Sequence, residues 1–212
     1  LKEEKLSKEF FTRNTLAAAR DLIGKIICRK FGNKILKGII VEAEAYPGKE
    51  DPASHSYNGK TNRNSVMFEE GGLAYVYFTY GNHYCFNVVT GVKDKGSAVL
   101  IRGVEPMEGI NIMMKNRNTI DIYNLTNGPG KFAQAFAIGR VINGKDLRGD
   151  EIYITESSVK NKFQIIKSKR IGITKNTEKL YRFYMKDNPF VSGAGRAAVK
   201  KREQEFPNDK SN

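Results

Sequence analysis

Between residues 26 and 46, apolar and polar side chains alternate in the rhythm of extended chain. KIICRKF and KILKGIIVEAEAY are two apolar-rich runs joined by Gly32-Asn33, a pair suited to the positive φ angles of a tight turn, so they read as a hairpin. Over IIVEAEAY (39–46), strand alternation puts Ile39, Val41, Ala43 and Ala45 on a core-facing side and Glu42, Glu44 and Tyr46 on the other. LAYVYFTYGNHY (73–84) reads as a second hairpin turning at Gly81-Asn82, and AVLIRGVE, EIYITE, FQIIKSKRIGIT and LYRFYMK as further strands. Helical signals are fewer. Thr15 is placed to cap a helix over LAAARDLI that Gly24 ends. Pro106 is placed to open a helix through about Lys115, and Asn127-Gly128-Pro129-Gly130-Lys131 to introduce one over FAQAFAI. Residues 47–72 are rich in Pro, Gly, Asn, Asp and Ser, and so long a loop within a compact domain points to function or disorder. Hairpins outnumber βαβ units, which predicts an α+β fold: a single domain with a curved, mainly antiparallel β-sheet, surrounding helices and a protruding β-hairpin. Residues 1–12 are expected to be a peripheral segment, 13–200 the single domain and 201–212 a loose charged tail.

The 212 residues, about 40% of them hydrophobic, suffice for one domain with a real core. No apolar run approaches the length of a membrane span, and LKEEKLSKEF lacks the apolar centre of a secretory signal. Cys28 and Cys85 lie in apolar strand contexts, as buried thiols of a reducing, intracellular compartment would. With only two histidines, and no recognisable ligand spacing, no metal site is expected.

Charge adds a partner class. Thirty-six Lys and Arg against 23 Asp and Glu leave a net +13, which reads either as a solvated surface or as a phosphate-tracking one. The second hairpin favours the latter. Tyr80 and His83 flank its tip, where a large aromatic ring gains no burial, and an aromatic finger on a basic protein suits insertion between stacked bases. Glu44 and Tyr46 on one strand face, with His55 in the loop near Tyr46 and Tyr57, suggest a slot for a flat polar ring held between aromatic faces. GPGK at 128–131 is not a Walker A loop. It is either a plain helix start or a helix N-terminus at which Gly130 and Lys131 hold a backbone phosphate.

Seven segments then occur in order: VEAEAY (41–46), Ala53-Ser54-His55, RNxxMF (63–68), YVYFTYGNHYCFN (75–87), LIRxxEP (100–106), NGPGK (127–131) and RFYMKDNPFVS (182–192). Together they resemble the alkyladenine (3-methyladenine) DNA glycosylase family over roughly residues 10 to 200. The resemblance implies a monofunctional, monomeric enzyme acting without a cofactor on double-stranded DNA that contains damaged purines, in the cytoplasm or nucleoid of a bacterium or the nucleus of a eukaryote. It implies Glu44 as the general base, with Arg102 and the backbone carbonyl of Ile171 helping to hold the attacking water. Tyr46, His55 and Tyr77 would form the stacking slot for the flipped base, and Asn87 would clash with the exocyclic amine of guanine. Tyr80 would be the wedge entering the minor groove. His83 stands where the vertebrate members carry another tyrosine.

These roles conflict with a strict two-residue turn. That turn pairs Tyr80 with His83 and Tyr77 with Phe86, which puts Tyr77 and Asn87 on opposite faces, whereas one pocket needs both on the same face. An odd-numbered loop or a bulge between Phe78 and Phe86 resolves it. Two other readings compete: a non-catalytic module sensing distorted DNA, and a metal-dependent nuclease using Glu42, Glu44, Glu50 and Asp51.

Overall fold

The computed structural model describes residues 4–79, 81–157 and 163–193; Tyr80 and the 201–212 tail lie outside them. Among these residues four α-helices accompany one antiparallel sheet: α1 (Lys8–Thr12), α2 (Thr15–Leu22), α3 (Ile110–Arg117) and α4 (Pro129–Ala135). The strands are β1 (Ile26–Phe31), β2 (Lys34–Tyr46), β3 (Ala74–Thr79), β4 (His83–Thr90), β5 (Ser97–Glu108), β6 (Ile152–Thr155), β7 (Ile165–Ser168) and β8 (Arg182–Met185). They run in the order β3-β4-β5-β2-β1-β6, with β8 pairing both β2 and β7. β2 is long enough to serve two partners along one edge, β1 over Lys34–Ile39 and β8 over Glu42–Glu44. The α+β expectation holds, and Phe31 pairs with Lys34 across the Gly32-Asn33 turn as predicted.

The two faces of the sheet differ in chemistry. Ala43, Ala45, Val99, Ile101, Phe86, Val88, Ala74 and Val76 belong to one buried apolar cluster with Leu22 of α2, Phe132 of α4 and Phe136 at the end of α4. The rings of Phe86 and Phe132 meet edge to face at 6.0 Å, a favourable aromatic geometry. The opposite face carries Glu42, Glu44 and Tyr46 on β2, Ala98 and Leu100 on β5, Cys85 and Asn87 on β4, and Tyr75 and Tyr77 on β3, as the pairings Glu44↔Leu100↔Asn87↔Tyr75 require. Paired residues on adjacent strands share a face.

That shared face depends on one loop length. Thr79 pairs with His83, so three residues connect β3 and β4 and Tyr77 falls opposite Cys85. The odd-numbered loop is the irregularity that the pocket roles demanded, and the strict two-residue turn is not present.

Local readings needed correction elsewhere. On β2 the phase shifts: Ile40↔Val104 is followed by Glu42↔Gly103 and then Ala43↔Ile101. Val41 and then Arg102 are extra residues on opposite strands, two bulges that restore the register between them. Ile40, not Ile39, therefore takes the core side. Pro106 does not open a helix, because β5 continues to Glu108 with a register shift beside Gly38↔Pro106. An irregular ladder end tolerates a residue without an N–H, and α3 starts only after Gly109 at φ 80°. The cap of α2 is Asn14, whose side chain accepts from the N–H groups of Leu16 and Ala17; Thr15 is already helical. The N-terminal segment is less peripheral than expected, since Leu6 and Phe11 are buried in the core. No helix among the described residues is long and apolar enough to cross a membrane. Cys28 and Cys85 are buried and not joined in a disulfide.

Candidate active site

The polar face of the sheet forms the floor of a cavity of about 600 Å³, closed on its sides by the loop carrying His55 and by residues 171–175. That volume lies in the range of small-molecule sites. Tyr46, Tyr75, Tyr77, Cys85, Asn87, Leu100 and Arg102 line it from β2 to β5. Burial reinforces the neutrality of the aromatic walls. The Tyr75 hydroxyl is pushed up to about 12, and those of Tyr46 and Tyr77 higher still, all chiefly by desolvation.

His55 leans over this wall. Its ring meets that of Tyr77 edge-on at 4.5 Å, and its Nδ1 is 3.1 Å from the Tyr75 hydroxyl. Desolvation, helped by the charge of Arg63, lowers its pKa, so His55 is neutral at physiological pH. Asn64 holds the loop, donating from Nδ2 to the carbonyls of His55 and Gly59 at 2.9 and 3.0 Å. Asn87 is buried, and its amide donates to the Tyr75 carbonyl at 3.1 Å. Tyr75 is thus a polar partner of two site residues, through its hydroxyl to His55 and its carbonyl to Asn87.

Glu44 lies immediately behind the wall and is 0% exposed. Ile171 N–H donates to its Oε1 at 2.8 Å, and to its Oε2 come the Tyr46 hydroxyl at 3.0 Å and Arg102 Nη1 at 3.5 Å. All three donors come from residues lining the cavity. Desolvation raises the Glu44 pKa, opposed by Arg102, Ile171 N–H and the Tyr46 hydroxyl. Ile171 therefore reaches Glu44 through its N–H, whereas its carbonyl was the group expected to act.

A buried charge network lies underneath. Glu42, also 0% exposed, accepts from Arg102 Nε at 3.3 Å, Arg182 Nε at 2.6 Å, and Ser192 N–H and Oγ at 2.6 and 2.8 Å. Asp51 and Arg170 form a second buried pair. None of these links was visible in the sequence, because the partners stand 60 to 150 positions apart; only the burial of a charged face on β2 could have hinted at them. Among the described residues no three of His, Cys, Asp or Glu converge as a metal site would require. Glu42 and Glu44 face arginines and do not gather with Glu50 and Asp51.

The residues expected to touch nucleic acid are less concentrated. His83 lines the cavity mouth and packs so closely on Gly130 that a Cβ there would lie 2.5 Å from its ring. Lys131 donates to Asn124 and Asn127 at 2.6 and 2.9 Å, so its ammonium is turned toward α4's own surroundings. Tyr80 lies outside the described residues.

Residues 9–189 match the family model for methylpurine-DNA glycosylase. Bacterial proteins named for 3-methyladenine DNA glycosylase are similar over nearly their whole length. One from Natranaerobius thermophilus is 47% identical over 89% of this chain and 98% of its own. One from Clostridium novyi is 48% identical over 89% and 98%, and one from Francisella tularensis 46% identical over 84% and 93%.

Proposed function

The chain belongs to the methylpurine-DNA glycosylase family, and from that premise we propose that it excises alkylated purines from DNA by hydrolysis of the N-glycosidic bond. The observation that carries the reading is a fully buried carboxylate, Glu44, set behind an aromatic-walled cavity and contacted by Tyr46, Arg102 and Ile171 of its lining. In the proposed reaction the bond from sugar C1′ to the purine nitrogen breaks with its electrons leaving on the base. Water oxygen bonds to C1′, and Glu44 takes the water proton. A purine made cationic by alkylation leaves as a neutral molecule, and the electron-rich faces of Tyr46 and Tyr77 favour a cationic ring.

The donors around Glu44 suggest where water enters. Arg102 Nη1, at 3.5 Å, is the loosest of the three, so a water seated between it and the carboxylate disturbs least. Tyr46, His55 and Tyr77 hold the flipped base and Asn87 lies below it, while His83, Gly130 and Lys131 lie on the DNA side and Tyr80 is the wedge. Flipping costs a few kcal/mol, and stacking in the slot returns about 1–3 kcal/mol per base. The protein acts as a monomer on duplex DNA.

The test incubates the protein with duplexes carrying single lesions, 3-methyladenine and hypoxanthine among them, and identifies the released base by chromatography. Glu44→Gln is expected to reduce release by orders of magnitude while lesion binding survives. Release undiminished in that variant sinks the assignment; lesion binding without release by the parent protein favours the distortion-sensing reading. Release that disappears on adding a chelator favours the nuclease-like, metal-dependent one.

A further inference from the structure

One carboxylate reaches both side walls of the cavity. Asp51 is 0% exposed. Its two oxygens receive Arg170: Nη1 on Oδ2, and Nη2 on Oδ1 at 2.9 Å. The same Oδ1 receives Asn176 Nδ2 at 2.9 Å. Residues 170 and 176 are the two ends of the loop whose members 171–175 line the cavity, so one side chain fastens that loop at both ends. Asp51 also shapes the opposite wall. Its Oδ1 accepts from Ala53 N–H at 3.2 Å and its carbonyl from Ser54 N–H at 2.8 Å, bending the chain just before His55.

Arg170 is held in turn. Nη1 donates to the Ala45 carbonyl at 3.0 Å, and the guanidinium lies over the rings of Tyr46 and Tyr181 at 4.6 and 5.3 Å from their centres. Its backbone leads directly into Ile171, whose N–H meets Glu44. A bidentate arginine–carboxylate pair is geometrically demanding, and a buried one serves position better than stability.

We propose that Asp51 is a positioning residue for the glycosylase reaction: through Arg170 and Asn176 it clamps the 170–176 loop so that Ile171 N–H stays on Glu44 and keeps that buried carboxylate able to accept a proton. The inference rests on the assignment of Glu44 as the general base. It explains why an arginine and an aspartate that neither line the cavity nor hydrogen-bond to Glu44 are sealed side by side behind the site. Glu44 is faced by Arg102 from β5, by Glu42 and Tyr46 from its own strand, by Cys85 from β4 and by Arg170 at the loop. Of its three hydrogen-bond donors, only Ile171 N–H sits on a loop instead of a strand.

The first measurement is independent of catalysis. Amide hydrogen exchange of Ile171 is followed in the parent, in Asp51→Asn and in Asn176→Ala, the second variant removing one fastening without stranding a charge. Exchange at Ile171 is expected to accelerate about tenfold or more in both variants, while core amides such as those of Val99 and Ile101 keep their protection. Unchanged exchange at Ile171 in folded Asn176→Ala and Asp51→Asn overturns the clamp, whatever the enzyme does to DNA.

The second measurement is the pH profile of single-turnover base release. A hydrogen bond to a charged group is worth about 1.5–3 kcal/mol, and one pKa unit corresponds to about 1.36 kcal/mol. Loss of the Ile171 bond therefore moves the acid limb about 1–2 units up in pH, with kcat falling below the limb and KM little changed. An acid limb at the parent's pH in Asp51→Asn, with only the amount of folded enzyme reduced, means a merely structural role and overturns the proposal. If the parent releases no base but its Ile171 amide is protected and the variants' is not, the clamp stands and the catalytic assignment of Glu44 fails.

Discussion

Replacing Glu42 with glutamine tests the network beneath the site. Its Oε1 accepts from Arg102 Nε at 3.3 Å, Arg182 Nε at 2.6 Å and Ser192 Oγ at 2.8 Å, and its Oε2 from Ser192 N–H at 2.6 Å. Glutamine keeps the shape but offers one oxygen. With its amide nitrogen at the Oε2 position, it meets Ser192 N–H donor to donor; turned over, it meets two guanidinium N–H groups. Either way a buried donor loses its acceptor and two arginines lose a counter-charge. Removing one partner of a buried ion pair costs about 3–5 kcal/mol. A chain of this size shifts its melting temperature by about 2–4 °C per kcal/mol, so a drop of about 10 °C is expected. Thermal unfolding by circular dichroism reads it, with Ser192→Ala as calibrator. That change removes only the hydroxyl's bonds, a loss of about 1 kcal/mol. A Glu42→Gln protein melting within about 2 °C of the parent, or no lower than Ser192→Ala, refutes the reasoning.

Three further outcomes follow from the same geometry. Desolvation raises the Glu44 pKa, so the acid limb of base release in the parent is expected above the ordinary glutamate value of about 4.3; a pH profile with the limb at or below that value contradicts it. A carboxyl whose folded-state pKa is raised contributes stability below its unfolded value and loses it as pH rises through the folded one. Glu44→Gln is therefore expected to melt higher than the parent at pH 8 and nearly with it at pH 4, and an equal difference at both pH values rules this out. In Gly130→Ala the new Cβ lies 2.5 Å from Cδ2 and 2.8 Å from Cγ of His83. The ring must move, at about 1–3 kcal/mol, and both melting temperature and duplex affinity should fall; a variant unchanged in both shows that His83 yields freely.

What the sequence revealed and what it hid divide by range. The Gly32-Asn33 hairpin, the helix after Gly128 and the shared face of Glu44 and Tyr46 follow from neighbours within a few positions, and the structure contains each. The requirement that Tyr77 and Asn87 face one way was enough to reject a regular two-residue turn, and a three-residue connection meets it. The helix expected at Pro106 failed because proline speaks equally for a helix start and for an irregular strand end, and pairing with Gly38 decided for the strand. Val41 could not be recognised as a bulge from its own strand, since the matching extra residue, Arg102, sits on β5. The Asp51–Arg170 and Glu42–Arg182 pairs are products of the completed fold. Local pattern carries no trace of partners 119 and 140 positions apart.

The three-residue connection between Thr79 and His83 limits how the gene for this protein can vary. β4 is fixed by its pairing with β5, so shortening the connection by one codon inverts β3 alone, sending Ala74 and Val76 to the cavity and Tyr75 and Tyr77 into the apolar interior. A one-codon gain does the same, whereas changes of two preserve the arrangement. Selection at this site therefore acts on the parity of a length before it acts on the identity of any residue in the loop, and functional variants should differ there by even numbers.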